Sequence, residues 1–181
     1  PEGEAFLAFC DYVLSLGRRG VILAICSKND LVNVIEVFEK HPEMPLQLTD
    51  FASIKCNWNN KADNLLEIAR ELNIDVSALV FADDNPAECE LVRNSLPNVR
   101  VINMNGDPAG FIRKIEDKRF FEAQRLTSED FSRGKSYQAR SKFNKLKRSA
   151  TDLASFYRSL EMKAEIEEAT VEDLIRLEQM E

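Results

Sequence analysis

The feature that most constrains this chain is a set of three short apolar runs alternating with amphipathic helical segments. They are "GVILAICS" (20–27), rich in β-branched residues and bounded by punctuation, "ALVFAD" (78–83) and "NVRVINM" (98–104). Runs of this length and composition read as strands. The apolar continuity of the first fits a parallel strand buried on both faces. Helical periodicity fills the intervals, in "EAFLAFCDYVLSL" (4–16), "NDLVNVIEVFEKH" (29–41), "KADNLLEIARELN" (61–73), "PAECELVRNSL" (86–96) and "DPAGFIRKIED" (107–117). Strands alternating with helices predict βαβ units, hence an α/β fold with a doubly wound parallel sheet. Asn29 or Asp30 is the expected N-cap of the second helix, and Pro86 suits the first turn of the fourth. The stretch 42–59, with Pro42, Pro45 and "CNWNNK", reads as loop.

After residue 126 the pattern changes to helices without strands. Residues 127–161 read as a helical extension, opening on a Thr127/Ser128–Asp130 capping signal. Its stretch from Arg133 to Arg148 carries basic residues and no acid. Residues 162–181 read as the start of a following domain. The α/β part is therefore expected to occupy residues 1–126. At 181 residues the chain fits one domain plus added material.

Composition excludes several classes. Hydrophobic residues make up 44% and charged residues 30%, as in a globular protein. A formal net charge of −7 argues against binding nucleic acid or an anionic membrane surface. No apolar run approaches the roughly 20 residues that span a bilayer, and "PEGEAF" is no signal peptide. The four cysteines, Cys10, Cys26, Cys56 and Cys89, form no CxxC pair, and a single His leaves no zinc-ligand spacing. Free thiols without a secretion signal predict the cytoplasm.

In doubly wound sheets chemistry sits outside the carboxyl ends of the strands. Two adjacent carboxylates, Asp83 and Asp84 in "FADDNP", fall at such an end, and so does Ser27 in "ICSKND". Lys61 opens the helix after "NWNN". A hydroxyl with the amides of a helix N-terminus, here Ser27, Lys28 and Asn29, can hold phosphate oxygens. A lysine ammonium neutralises charge on a transferring phosphoryl group. The repulsion of paired carboxylates is relieved by a hard cation, and Mg²⁺ takes one or two carboxylates with water and phosphate. Each member alone has a plainer role. Serine caps helices, lysine sits on solvated faces, and Asp-Asp before Pro makes a turn. The combination, at strand ends, carries the weight. Lys61 and Asp83 are accordingly expected to be functional rather than core residues.

The segments "GVILAICSKND", "VFEKHPEM", "NWNNKADNLLEIARELN" and "LVFADDNPAE" together resemble the FkbH-like family of the haloacid dehalogenase (HAD) superfamily, over residues 1 to about 165. The resemblance implies that Ser27 binds phosphate, that Lys61 is the motif III lysine, and that Asp83 with Asp84 ligates Mg²⁺. It also implies an aspartate nucleophile in a DxDxT-type motif on the first, central strand. No DxDxT occurs here, so that strand is expected before Pro1; otherwise the chain is an inactive relative. The family is implied to dephosphorylate a phosphoglycerate-type substrate and deliver the glyceryl unit as a thioester to an acyl carrier protein. The end of the chain is similar to the start of an acyltransferase-like domain.

Thioester chemistry would suit a cysteine. Cys26 is the nearest candidate and Cys56 a second, although alternation along a strand turns Cys26 away from the Ser27 hydroxyl. The basic stretch 133–148 could dock an acidic carrier, or simply face solvent. His41, near a helix C-terminus, receives no catalytic role, and Trp58 reads as a pocket wall or a buried anchor. Two other classes remain: a non-catalytic HAD-like module that binds a carrier protein, and a receiver-like signalling domain. Receivers place the acidic pair before the hydroxyl and the lysine, the reverse of the order here.

Overall fold

The computed structural model describes residues 2–122 together with Arg133, Gly134, Ser136, Tyr137, Ala139 and Phe143. The chain divides into two units, Pro1–Asn144 and Lys145–Glu181, and every described residue belongs to the first. Most of the expected helical extension, most of the basic stretch and all of the expected following domain lie outside the described residues.

Between residues 2 and 122, five α-helices and four strands alternate. Helix α1 spans Glu2–Arg18, β1 Leu23–Ser27, α2 Leu31–Lys40, β2 Phe51–Cys56, α3 Lys61–Leu72, β3 Val80–Asp83, α4 Pro86–Ser95, β4 Arg100–Asn103 and α5 Phe111–Glu116. One expectation fails here. The segment read as loop contains β2, whose "FASIKC" lies parallel to β1 with Ser27 opposite Cys56. Its small and polar members, Ser53 and Lys55, hid the strand, because both are satisfied by α3 rather than by solvent alone. Ser53 Oγ donates to Glu71 Oε2, and Lys55 pairs with Glu67 at 3.0 Å.

Strand β3 pairs in parallel with β4, from Val80 opposite Arg100 to Asp83 opposite Asn103. The strands thus form two parallel pairs, β1–β2 and β3–β4, rather than one continuous sheet among the described residues. Expected two-sided burial of β1 is not found: its residues are half-buried and Ala24 is exposed. A strand bonded to one neighbour only lacks the flanking side chains that would close its surface.

Helix α3 is the central packing element. Asn60 caps its start by accepting the Ala62 N–H at 2.8 Å, and Asn73 ends it in the left-handed region at φ 54°. Its Ala62, Leu65, Ile68, Ala69 and Leu72 recur at helical spacing and are all buried. Leu65, Ile68 and Leu72 pack with Ala52 of β2, Phe81 of β3 and Val92 of α4, so α3 spans both strand pairs. On the opposite face of β3–β4 a second cluster joins Ile102 and Met104 to Phe111 and Ile115 of α5, with Phe9 and Tyr12 of α1 against it. Helix α2 differs. It has no buried residue, and its one aromatic contact, Phe38 edge-on to Phe51, ties it to β2 at 5.9 Å between ring centres. No described helix is long and apolar enough to cross a membrane.

Candidate active site

The carboxyl ends of β1, β2 and β3 face the starts of α2, α3 and α4, and the candidate residues collect there. Lys61, the first residue of α3, forms an ion pair with Asp83, the last residue of β3. Both are buried, at 7% and 9% exposure. A charge is stripped of water at high cost unless it is paired, so each residue secures the other. The expectation that neither is a core residue is therefore corrected: both are buried and secure each other as an ion pair. The Lys61 ammonium also lies 5.6 Å from the centre of the Phe81 ring, an added cation–π contact.

Asp83 is further fixed from its own turn. Its Oδ1 accepts the Asn85 N–H at 2.9 Å, while its carbonyl accepts the Met104 N–H at 2.7 Å. The Cys89 thiol, fully buried, reaches the same carbonyl at 3.4 Å. Asn85 then caps α4 by accepting the Ala87 N–H at 2.9 Å, with Pro86 in the first turn as expected. Asp84, the residue after the strand end, is exposed. The two adjacent carboxylates are thus separated in environment: one buried and neutralised by lysine, one open to solvent.

Ser27 ends β1 half-buried, and its carbonyl accepts the Asn57 N–H at 3.1 Å. Asn57 and Asn64 exchange side-chain hydrogen bonds at 3.1 and 2.8 Å, which pins the β2–α3 loop to the buried side of α3. Lys28 pairs with Glu88 of α4 at 2.5 Å, joining the loop after β1 to the helix after β3. The other Glu88 carboxylate oxygen is buried without a partner. Asp30 holds the N-cap position of α2 without a side-chain capping bond, while Asn29 Oδ1 accepts both the Asp30 N–H at 2.8 Å and the Asn33 side-chain amide at 3.0 Å. Ser27 and Asp84 share this end of the molecule, but neither side chain hydrogen-bonds to the Lys61–Asp83 pair among the described residues.

Cys26 lies beneath the pair. Its thiol points to the Lys61 carbonyl at 3.9 Å and packs on the core shared by both strand pairs. Burial pushes the thiol up to about 11, against the pull of Lys61 and with the help of Asp83. It is therefore protonated at neutral pH, and a thiol is a weak nucleophile compared with its thiolate. Cys56, at the end of β2, is also raised by burial.

Sequence reasoning missed Glu88, Asn57 and Asn64 as parts of this constellation. Glu88 stands inside "DDNPAE", five residues after Asp83. That spacing returns it from the first turn of α4 to the strand end. The two asparagines flank Lys61 and could be read only as loop and helix polar residues.

No family model and no curated protein matches the chain. Among solved structures it is similar to the N-terminal part of the protein BF1531 from Bacteroides fragilis, a crystal structure containing a phosphatase domain complexed with Mg. The two are 41% identical with a TM-score of 0.67, over 70% of this chain and 34% of that one. The chain spans about a third of the solved chain's length.

Proposed function

We infer that this chain supplies part of a Mg²⁺-dependent HAD-type phosphatase acting on a small phosphorylated substrate. The observation that carries this reading is the buried Lys61–Asp83 pair at the carboxyl ends of the strands, in a chain 41% identical to a structure containing a Mg-complexed phosphatase domain. A lysine held rigidly by a carboxylate presents its ammonium without the reorganisation that a solvated side chain would need. In this role Lys61 neutralises charge on the phosphoryl oxygens. The Ser27 hydroxyl, with the amides of Lys28 and Asn29, binds those oxygens.

The donor set fits Mg²⁺. The ion is hard, keeps several waters and asks for only one or two protein carboxylates, and Asp83 and Asp84 offer oxygens of that kind. When bound, it would polarise the phosphate and offset its charge. The nucleophile of this reading is an aspartate on a further strand, placed between β1 and β3. Its support is that each of those strands has one bonded neighbour among the described residues.

The finer reading is FkbH-like: a phosphoglycerate-type substrate, with the glyceryl unit passed to an acyl carrier protein. Its support is the joint resemblance of "CSKN", "HPEM", "NWNNK" and "DDNP". The state of the Cys26 thiol counts against that residue as the thioester carrier. Phosphate release from phosphoglycerate, assayed in the complete polypeptide with and without Mg²⁺, tests the phosphatase. Transfer of label to a carrier's thiol tests the finer step. Absence of Mg²⁺-dependent release would refute the main reading.

A further inference from the structure

Trp58 is the only tryptophan of the chain. Its side chain was expected to be a pocket wall or a buried anchor, and the structure leaves the residue 69% exposed. Large aromatic surfaces in water are unfavourable by the area they expose, so an exposed indole held in place is a candidate contact for something else. It is held. Its Nε1–H donates to Asp30 Oδ1 at 3.0 Å. Asp30 lies three residues after Ser27, and Trp58 three residues before Lys61. The loop carrying the indole is fixed twice more, by the Asn57 N–H on the Ser27 carbonyl and by the paired amides of Asn57 and Asn64. The next residues beyond Asp30, Leu31 and Val32, are 47% and 73% exposed, which extends apolar surface along the same rim.

We propose that Trp58 determines specificity by packing against the organic part of the phosphate ester, while Ser27 and Lys61 hold the phosphate. This rests on the phosphatase reading. The geometry favours it over a mere anchor, because an anchor buries its ring, whereas here only the N–H is engaged and the ring is left in solvent. The ligand chemistry is a phosphate monoester whose carbon skeleton offers an apolar face. Inorganic phosphate, lacking that face, gains nothing from the indole.

The test uses the complete polypeptide and three probes: inorganic phosphate, phosphoglycerate and phenyl phosphate. Calorimetry reads binding, and the emission of Trp58, assigned as the part lost in Trp58→Phe, reads contact. Both esters are expected to shift or quench the emission more than inorganic phosphate does at equal saturation. Trp58→Ala is expected to weaken ester binding roughly threefold to tenfold, as loss of an aromatic contact does, and to weaken phosphate binding less. Trp58→Phe is expected to restore most of the ester preference, which a loop-anchoring role through the N–H would not do. If both esters bind, Lys61→Ala abolishes that binding, and yet the emission and the ester preference ignore position 58, the inference fails and the phosphatase reading stands. If no probe binds, both fail. A blue-shifted emission in the ligand-free protein would show the indole already covered and would also overturn the inference.

Discussion

At the scale of single residues, the proposed role of the Lys61–Asp83 pair would link stability to chemistry. Removing one member leaves the other as a buried, unpaired charge, which costs about 3–5 kcal/mol. Lys61→Ala is therefore expected both to abolish phosphate release and to lower the urea midpoint markedly. Asp83→Asn, which keeps an acceptor for the Asn85 N–H, is expected to abolish release at a smaller cost in stability. Lys61→Met combined with Asp83→Asn should cost less than the two single changes summed, since it leaves no charge behind. Equal midpoints for wild type and Lys61→Ala would refute the pairing.

Cys26 gives a pH prediction at the same scale. Its folded pKa, about 11, lies above the ordinary value of 9.0. Between those values the folded chain holds the thiol proton and the unfolded chain releases it. Stability from this group is thus complete below pH 9 and falls as pH rises toward 11. Denaturant midpoints measured across that window should decline more steeply in wild type than in Cys26→Ala. Identical slopes would count against the burial of the thiol.

At the scale of elements, the fastening of α3 to β2 is the most informative contact. Ser53 is 1% exposed, and its hydroxyl meets Glu71 inside the interface. Ser53→Ala removes a donor from a buried carboxylate, which costs about 1–3 kcal/mol. Ile68→Ala, at a residue 1% exposed between both strand pairs, should cost about 2–5 kcal/mol through the cavity it leaves. Chemical denaturation of the two variants checks both, and an effect of Ser53→Ala within error of zero would mean that Glu71, which also lies 3.7 Å from the Lys55 ammonium, is satisfied without the hydroxyl. By contrast α2 buries nothing, so alanine at Val32 should leave stability within about 0.5 kcal/mol of wild type.

For the whole molecule, the two parallel pairs set the prediction. Among the described residues, strands β1 and β3 each have one bonded neighbour, and unpaired strand edges exchange with water and invite further pairing. In residues 1–181 expressed alone, amides of β1 and β3 that point away from β2 and β4 should exchange within the fast regime. Those of α3 should be the slowest, because α3 carries the shared core. In the complete polypeptide, a strand filling the place between them should protect those same amides. Uniform protection of β1 and β3 in the isolated chain would show that the edges are already closed and would sink the proposed strand order.

The sequence by itself determined the local elements whose signals are local. The turn at Pro86 and the apolar stripe of α3 come from side chains acting within a few residues, whereas the capping bonds of Asn60 and Asn85 were found only in the structure. It also placed Ser27, Lys61 and the Asp83-Asp84 pair at one end of the molecule, because parallel strands joined by helices bring their carboxyl ends together. What only the tertiary structure decided depends on partners distant in the chain. Strand β2 is held by α3, which no pattern within "FASIKC" reveals. Asp83 and Asp84 look alike in sequence, yet β3 ends between them: Asp83 is buried against Lys61, 22 residues away, and Asp84 is left in water. The exposure of Trp58 was likewise undecided until the loop after β1 supplied Asp30, since an indole's burial depends on what the rest of the chain brings to it.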